Sequence, residues 1–398
     1  MSLNFFIVAN VAGGGLLQYG LSGGDRIAIE SLKRWAMQGN MITIMTSTSG
    51  QYMYRRYLSP HKNIRYNVLG TPAFKKYTEA TVPLHTIFSF AKGIFAARRM
   101  NGLTKSDIIY SSSDFLPDSI PGLIIKMRNK NAKWVASFYL FAPSPFSKQS
   151  PYRGLQKMRG LFFYLSQIPI YWAIRKHANM VWVTSEPDRQ RFVDAGLSPE
   201  NVITVRGGVD TKTPASMPEP EEKKFDAVFI GRLHPQKGVL ELIDIWKYVI
   251  QEKEEAKLAI IGVGNLEAEL KQKIKKCGLE DEISLFGFKD GIDKLRIFKD
   301  SKIVVHPAIY DSGGMAACEA MACGLPGVSF DLPALKSYYP KGMLKTPCFD
   351  LKAFAENILK LLNDKALYEK TAKEALEWAK EWDWDERANE LLRNIRQL

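Results

Sequence analysis

Short apolar segments alternate with amphipathic helical segments along most of this chain. The alternation is typical of β-α-β units, in which helices join parallel strands and cover the sheet. Strands are expected at residues 5–9, 41–46, 107–110, 134–138, 180–184, 202–205, 225–230, 283–287 and 303–305, and a strand with its glycine turn at residues 257–264. A chain of 398 residues with 46% hydrophobic residues can furnish two cores. The sequence therefore predicts an α/β protein of two parallel-sheet domains.

The segment 229–238 reads Phe-Ile-Gly-Arg-Leu-His-Pro-Gln-Lys-Gly, an apolar strand that runs into a glycine turn before a helix. Gly231 lets backbone N–H groups approach a phosphate closely. Arg232 offers a planar fork to phosphate oxygens, and Lys237 a compact positive charge. The diphosphate of a sugar nucleotide gains negative charge as its bond to the sugar breaks. Arg232 and Lys237 are therefore predicted to stabilise that charge, in the role that a metal ion has elsewhere.

A second turn between a strand and a helix, residues 311–319, reads Asp-Ser-Gly-Gly-Met-Ala-Ala-Cys-Glu. Glu319 lies at least one turn into the helix expected from Gly314, where its carboxylate could accept hydrogen bonds from both ribose hydroxyls. Asp311 precedes the glycines and is predicted to lie near the sugar. The alternative is that Asp311 only caps the helix that begins at Gly314.

The two motifs, in this order, resemble the donor site of retaining glycosyltransferases of family 4. The family's Gly-Arg-Leu-x-x-x-Lys-Gly run is matched at residues 231–238, and its Glu-x7-Glu element at Asp311 and Glu319, with Asp in place of the first Glu. Residues 181–210 resemble the end of the family's first domain. The resemblance implies a GT-B fold: two facing Rossmann-like, doubly wound domains, with a C-terminal helix that crosses back.

The resemblance also implies the position of each donor contact. Glycines before the first helix would face the donor, although a plain turn explains them equally well, and Phe288 occupies the place where backbone groups hold the base. The implied donor-binding residues are Gly23, Gly24, Gly231, Arg232, Lys237, Gly264, Phe288, Ser312, Gly313, Gly314, Met315, Ala316 and Glu319. The implied catalytic residues are Asp311, Arg232 and Lys237.

Four regions follow from the same resemblance. Residues 1–206 would form the acceptor-side domain, and residues 207–224, which contain proline and a Glu-Pro-Glu-Glu run, the linker. Residues 225–378 would form the nucleotide-sugar domain, and residues 379–398 the helix that returns to the first domain.

Positive charge is concentrated in the first half of the chain. Residues 1–206 contain 26 Lys+Arg and 10 Asp+Glu, a net charge of +16, whereas residues 207–398 contain 29 and 32, a net charge of −3. This asymmetry favours an anionic acceptor or an anionic membrane surface as a partner of the first domain. No nucleic-acid-binding motif accompanies the charge.

Two segments combine aromatic and basic residues in the manner of interfacial helices: residues 52–57 with 75–77, and residues 153–176 with Lys148. Packing against the sheet is the alternative for their apolar part. Apolar residues at positions 87, 88, 91, 94 and 95 follow helical spacing and are predicted to lie in the core.

No metal or cofactor is predicted, and the nucleoside-diphosphate sugar is the only small molecule required. Cys277, Cys318, Cys323 and Cys348 lack the spacing of a zinc site, so reduced structural thiols are expected. No apolar run reaches the length that spans a bilayer, and no basic leader precedes residue 5. The predicted location is the cytoplasm, with peripheral attachment to the inner face of the membrane as an option.

One position departs from the family pattern in the first domain. Many members have a His where residues 136–141 read Ala-Ser-Phe-Tyr-Leu-Phe, so Phe138 or Tyr139 takes its place, and neither is a base at neutral pH. The function predicted is that of a retaining, metal-independent glycosyltransferase that acts on a saccharide or lipid-linked acceptor. The alternatives are a nucleotide-sugar epimerase and a non-catalytic partner subunit, the latter motivated by the absent His and by Asp311.

Overall fold

The computed structural model describes residues 2–11, 21–71, 81–147, 150–152, 154 and 156–398. The glycines at residues 13–15, which are also expected to form a loop before the first helix, and the basic residues at positions 75, 76, 148 and 153 lie outside these ranges. The chain forms two compact units, one made of Met1–Gly207 with Trp384–Leu398 and the other of Gly208–Asp383.

The first unit is built on a parallel sheet with seven strands among its described residues, in the order β3-β2-β1-β4-β5-β6-β7. The strands are β1 (Asn4–Ala9), β2 (Met41–Thr46), β3 (Ile64–Val68), β4 (Asp107–Ser111), β5 (Lys133–Ser137), β6 (Met180–Val183) and β7 (Val202–Thr204). The helices are α1 (Gly23–Met37), α2 (Thr48–Tyr57), α3 (Thr81–Ala97), α4 (Leu116–Arg128), α5 (Gln156–His177) and α6 (Glu186–Asp194). The buried faces of these strands are rich in Ile, Val and aromatic residues, as expected for a sheet covered on both sides.

The second unit, described in full, has a six-stranded parallel sheet in the order β10-β9-β8-β11-β12-β13. The strands are β8 (Phe225–Ile230), β9 (Leu258–Ile261), β10 (Ile283–Gly287), β11 (Ser301–His306), β12 (Gly327–Phe330) and β13 (Met343–Thr346). The helices are α7 (Lys212–Ser216), α8 (Val239–Glu252), α9 (Glu267–Cys277), α10 (Gly291–Lys299), α11 (Met315–Met321), α12 (Pro333–Tyr338), α13 (Leu351–Asn363) and α14 (Lys365–Lys380).

The last helix, α15 (Trp384–Arg396), belongs to the first unit. It packs against α1, where the Trp35 indole donates to the Ala388 carbonyl at 2.9 Å. The Arg34 guanidinium lies 2.5 Å from the Asp385 carboxylate. The C-terminal helix thus returns to the first sheet, as predicted.

Helix α3 contradicts the prediction that its apolar residues lie in the core. Ile87, Phe88 and Phe95 are exposed, whereas His85 and Ser89 on the opposite face are buried. Small residues on the inner face explain the result: a Cβ on Gly93 would lie 3.1 Å from the Pro121 ring, so α3 approaches α4 closely there. The helical spacing correctly identified an apolar stripe on α3, but this stripe faces solvent and not the core. No described helix is both long and apolar enough to cross a membrane.

Candidate active site

The two predicted motifs follow β8 and β11, which are neighbours in the second sheet. Strand order reverses between these two strands, and ligands of such sheets bind outside the carboxyl ends of the strands at this switch point. The Gln236 carbonyl accepts the Ile309 N–H at 2.9 Å, and the Leu233 N–H donates to Val263 at 3.0 Å. The loops after β8, β9 and β11 are therefore connected at one edge of the sheet.

The turn after β8 depends on Gly238. Its backbone lies in the left-handed region, with φ of 62°, and a Cβ there would lie 1.9 Å from the Pro307 carbonyl oxygen. The preceding residues Pro235–Lys237 form a 3-10 turn, which the His234 ring caps by accepting the Gln236 N–H at 3.3 Å. A side chain at position 238 would thus separate the two loops that carry the motifs.

The Gly238→Ala substitution is expected to lower the free energy of unfolding of the second unit by about 3–4 kcal/mol, because it combines an unfavourable φ with a backbone clash. The matched control is Gly324→Ala, where φ is 84° and nothing lies within 4 Å of the added Cβ. The control should cost only about 1 kcal/mol. Chemical denaturation of both variants measures the difference, and equal losses would contradict the close approach at Pro307.

An ion pair joins the two motifs. The Lys237 Nζ lies 2.5 Å from the Asp311 Oδ2, and His306 at the end of β11 places its Nε2 3.3 Å from the same oxygen. The other carboxylate oxygen of Asp311 accepts the N–H groups of Ser312 at 3.0 Å and Gly313 at 3.3 Å. Burial alone would raise the pKa of Asp311, but the Lys237 ammonium and the His306 ring outweigh it and hold the pKa well below its usual value.

The alternative that Asp311 caps the following helix is wrong. Helix α11 begins at Met315 after Gly314, which makes no side-chain cap hydrogen bond, and the Asp311 carboxylate accepts N–H groups of Ser312 and Gly313, which precede the helix. The carboxylate instead holds the lysine and the loop before the helix. Asp311 is thus an ionised anchor at neutral pH and not a helix cap.

The turn after β8 carries a net positive charge, because Asp311 offsets Lys237 but not Arg232. Arg232 is exposed, and within the described ranges no hydrogen bond or ion pair holds its guanidinium. Burial, with Arg232 and Lys237 nearby, lowers the pKa of His234 to about 4, so its imidazole is neutral at pH 7. Two cations and a neutral ring therefore line this turn.

Glu319 lies on α11 with a partner that the sequence analysis missed. The Lys294 Nζ, on α10, lies 3.0 Å from Glu319 Oε2 and 3.0 Å from Asp290 Oδ1. The Lys294 side chain is only 7% exposed. A buried lysine between two carboxylates fixes the orientation of Glu319. The only sequence signal was Asp290 and Lys294 four residues apart at a helix start, and that pattern is common.

The other predicted donor residues of the second unit follow its central strands. Gly231 follows β8, Gly264 follows β9 and the half-exposed Phe288 follows β10. Ser312, Gly313, Gly314, Met315 and Ala316 form the loop after β11 and the first turn of α11. All of them lie at the carboxyl edge of this sheet, together with Arg232, Lys237 and Glu319.

The predicted glycines of the first unit, Gly23 and Gly24, open helix α1 behind the capping residue Ser22. A Cβ on Gly24 would lie 2.8 Å from the Tyr139 ring, so the helix start packs directly on this tyrosine. The hydroxyls of Tyr139 and Tyr110 are 3.0 Å apart, while Phe138 is fully buried among aromatic rings. Tyr139 is therefore the residue beside the glycines, and burial raises its pKa far above neutrality.

No metal centre accompanies these residues: across the described part of the chain, no three His, Cys, Asp or Glu side chains are grouped as metal ligands. Cys318 and Cys323 are buried, and burial raises the pKa of both thiols, that of Cys323 to about 12. Both cysteines are therefore packed as neutral thiols.

Sequence comparison matches residues 212–378 to the family of glycosyl transferases group 1. The phosphatidyl-myo-inositol mannosyltransferase of Mycobacterium leprae is 27% identical over 48% of this chain and 53% of its own length. The poly(glycerol-phosphate) alpha-glucosyltransferase of Bacillus subtilis is 25% identical over 42% of this chain and 25% of its own length. The chain thus spans about a quarter to a half of these curated relatives.

Solved structures match the whole chain. The sucrose-phosphate synthase of Thermosynechococcus elongatus aligns with a TM-score of 0.74 at 18% identity, covering 99% of this chain and 98% of that one. HepE from Anabaena, solved with UDP, aligns with a TM-score of 0.71 at 16% identity over 100% of both chains. The predicted GT-B fold and the predicted resemblance to this group of transferases are confirmed.

Proposed function

We propose that this chain, whose second unit carries the sequence of glycosyl transferases group 1, is a retaining, metal-independent glycosyltransferase of family 4. It moves a sugar from a nucleoside diphosphate to a saccharide or lipid-linked acceptor. The observation that supports this most directly is the Lys237–Asp311 ion pair beside exposed Arg232, at the switch point of the second sheet. Donor binding is assigned to residues 225–378 and acceptor binding to residues 1–206, with residues 207–224 as the linker and residues 379–398 as the returning helix.

The diphosphate of the donor is proposed to bind at the turn after β8. The Arg232 guanidinium would take phosphate oxygens in a bidentate manner, and Lys237 would add a point charge. Asp311 holds the Lys237 ammonium in place before the donor arrives, so the charge needs little reorganisation during the reaction. These two cations then stabilise the negative charge that develops on the leaving diphosphate.

The reaction proposed is front-face substitution at the anomeric carbon. The bond from this carbon to the diphosphate oxygen breaks, the bond to the acceptor oxygen forms on the same face, and the acceptor proton passes to the departing phosphate. No protein base is required, which agrees with a tyrosine of raised pKa at the position of the family's histidine. Asp311 and the backbone of Gly313 and Gly314 are proposed to position the sugar.

The relatives support an anionic donor and an anionic acceptor. HepE was solved with UDP and with UDP-glucose, and the relatives from Mycobacterium leprae and Bacillus subtilis are named for a phosphatidyl-inositol and a poly(glycerol-phosphate). A net charge of +16 on residues 1–206, from 26 Lys+Arg and 10 Asp+Glu, suits an acceptor of this kind.

Glu319 is proposed to hold the ribose hydroxyls, oriented by Lys294. The Glu319→Ala substitution should raise the donor KM by about 10–100-fold with little change in kcat, because charged hydrogen bonds of this type contribute about 1.5–3 kcal/mol. Lys294 keeps Asp290 as a partner, so the fold should survive. The matched control is Glu267→Ala, which breaks an exposed ion pair with Lys271 on α9 and should leave KM unchanged.

Calorimetric titration with a nucleoside diphosphate that lacks both ribose hydroxyls tests more directly whether Glu319 holds the ribose. The parent protein should bind this analogue at least about tenfold more weakly than the normal nucleotide. The Glu319→Ala variant should bind the two equally. If the variant still discriminates between them as strongly as the parent protein, Glu319 does not hold the ribose.

A further inference from the structure

Two helices of the first unit turn large apolar side chains to solvent, and we call their combined outer faces the α3/α5 surface. On α3 the exposed apolar residues are Leu84, Ile87, Phe88 and Phe95, and on α5 they are Met158, Phe162, Leu165, Ile168 and Trp172. Single exposed apolar residues are common on soluble proteins, but contiguous patches mark interaction sites. This surface therefore requires an explanation.

Helix α3 is amphipathic, but its polar and small residues face the core and its large apolar residues face solvent. Its inner face is His85, Ser89, Gly93 and Ala97, all buried and spaced by four residues. Ser89 is 0% exposed, whereas Ile87 is 62% exposed. A helix packed only for the core would place its polar residues outward, so the apolar outer face of α3 points to an apolar environment outside the fold.

Helix α5 also has an apolar outer face, although its inner face buries Ile170 and Ile174. Its buried residue Gln167 donates to the Leu140 carbonyl at 2.8 Å and accepts the Ala142 N–H at 2.7 Å. Phe162 and Trp172 face outward and are 70% and 61% exposed. The outer residues of α5 recur every three to four positions, which is one continuous stripe along the helix.

Both stripes lie on the same side of the first sheet. Helix α4 packs between α3 and α5, and right-handed crossovers place the helices after β3, β4 and β5 on one face. Phe115, at the start of α4, stacks on Phe163 of α5 with ring centroids 5.3 Å apart. The three helices therefore form one layer whose outer side carries the apolar residues.

The exposed charge of this layer is positive, because Asp118, the carboxylate of α4, is buried. Residues 119–185 contain ten Lys or Arg and no Asp or Glu, and residues 80–106 contain four and none. Among these cations, Arg99 lies over the Phe95 ring at 4.0 Å and Arg175 over the Trp172 ring at 4.8 Å. Cations are thus held beside the exposed aromatic residues that form the stripes.

We propose that the α3/α5 surface docks the protein onto an anionic lipid bilayer, with the apolar stripes in the headgroup region and the flanking cations on lipid phosphates. Interfacial helices combine these two features, an apolar face of aromatic and aliphatic residues and a rim of Lys and Arg. A second copy of the chain would place two positively charged faces against each other, and their repulsion disfavours that partner. The α2 segment contributes less, because its Met53 and Tyr54 are buried.

Vesicle flotation without nucleotide tests this docking. The full-length protein should bind phosphatidylglycerol–phosphatidylcholine vesicles and not pure phosphatidylcholine vesicles. The triple variant Phe162→Ser, Leu165→Ser, Trp172→Ser should lose about a hundredfold in vesicle affinity through lost apolar burial. The triple variant Arg98→Gln, Arg99→Gln, Lys176→Gln should lose a similar factor, since each cation near an anionic surface contributes about 1 kcal/mol.

Matched controls remove the same residue types elsewhere. Met37→Ser, Tyr248→Ser, Leu376→Ser removes three exposed apolar residues, and Lys247→Gln, Lys370→Gln, Lys373→Gln removes three exposed cations. Both controls should bind vesicles as the parent protein does. Equal binding by the α3/α5 variants, binding to no vesicle, or a dimer in solution that the Phe162 variant dissociates would each overturn the proposal. Nucleotide binding by every variant should be unchanged, so this result stands apart from the donor assignment.

Discussion

The Lys237→Ala variant should lose about a thousandfold in kcat and most of its affinity for nucleoside diphosphates, with its fold intact. Removing one preorganised donor to a developing oxyanion costs about 10²–10³ in kcat in enzymes that rely on electrostatic stabilisation. Here the same ammonium also binds the ground-state diphosphate, so affinity should fall as well. Initial rates of nucleotide release and calorimetric titration measure the two effects.

The control for this substitution is Lys273→Ala. Lys273 forms an ion pair with Asp244 at 2.5 Å, the same length as the Lys237–Asp311 pair, but it lies on α9 away from the carboxyl edge of the sheet. Loss of this pair should leave both rate and affinity unchanged. An undiminished rate in Lys237→Ala would contradict the assignment of the diphosphate to the turn after β8.

The Asp311→Asn variant should give a different pattern. Its kcat should fall by about a hundredfold, because the Lys237 ammonium is no longer held by a carboxylate. Misplacement of a catalytic group by about 1 Å costs about that factor. Affinity for the nucleoside diphosphate should stay equal or increase, since Lys237 no longer has a carboxylate that competes with phosphate. Steady-state kinetics and calorimetric titration of the same preparation separate the two quantities.

The conservative variant Asp311→Glu keeps the negative charge and introduces the residue of the motif that this loop resembles, so it should retain most of the rate. Asp244→Asn, which breaks the equivalent ion pair on α8 and α9, should change neither quantity. If Asp311→Asn weakened nucleotide binding as strongly as Lys237→Ala, Asp311 would be needed to bind the nucleoside diphosphate itself and would not act only on the lysine and the sugar.

The sequence predicted the parallel sheets well because most strands are short, continuous apolar runs. It missed β3, whose residues alternate between partial burial and exposure at one edge of the first sheet. It also missed β12 and β13, which have four residues each, and β13 is one of the two edge strands of the second sheet. Edge strands need fewer apolar residues than central ones, so periodicity carries less information about them.

Periodicity also cannot tell which side of a helix faces the core. The apolar stripe of α3 was assigned to the core on spacing alone, yet the inner side holds His85, Ser89 and Gly93. The inner side of α3 packs so closely on α4 that it requires small residues. In a hydrophobicity pattern these small residues have the appearance of a polar, solvent-facing side. The orientation follows only from the neighbouring helix.

The sequence predicted those parts of the site that are formed by residues close together in the chain. Glycine, arginine and lysine at fixed spacing identified the turn after β8, and the loop after β11 was found in the same way. The contact that connects them joins Lys237 to Asp311, 74 residues further along the chain. Lys294 likewise reaches Glu319 from another helix. Such partners are set by sheet order, which the sequence alone did not give.

The central claim is that the turn after β8 and the loop after β11 bind a nucleoside diphosphate. Calorimetric titration of the purified protein with UDP, GDP and ADP, repeated with Lys237→Ala and Lys273→Ala, tests it most directly. The account predicts that one nucleotide binds the parent protein and the Lys273→Ala control equally, and that Lys237→Ala loses it. Binding of none of the three at millimolar concentration would contradict the transferase assignment.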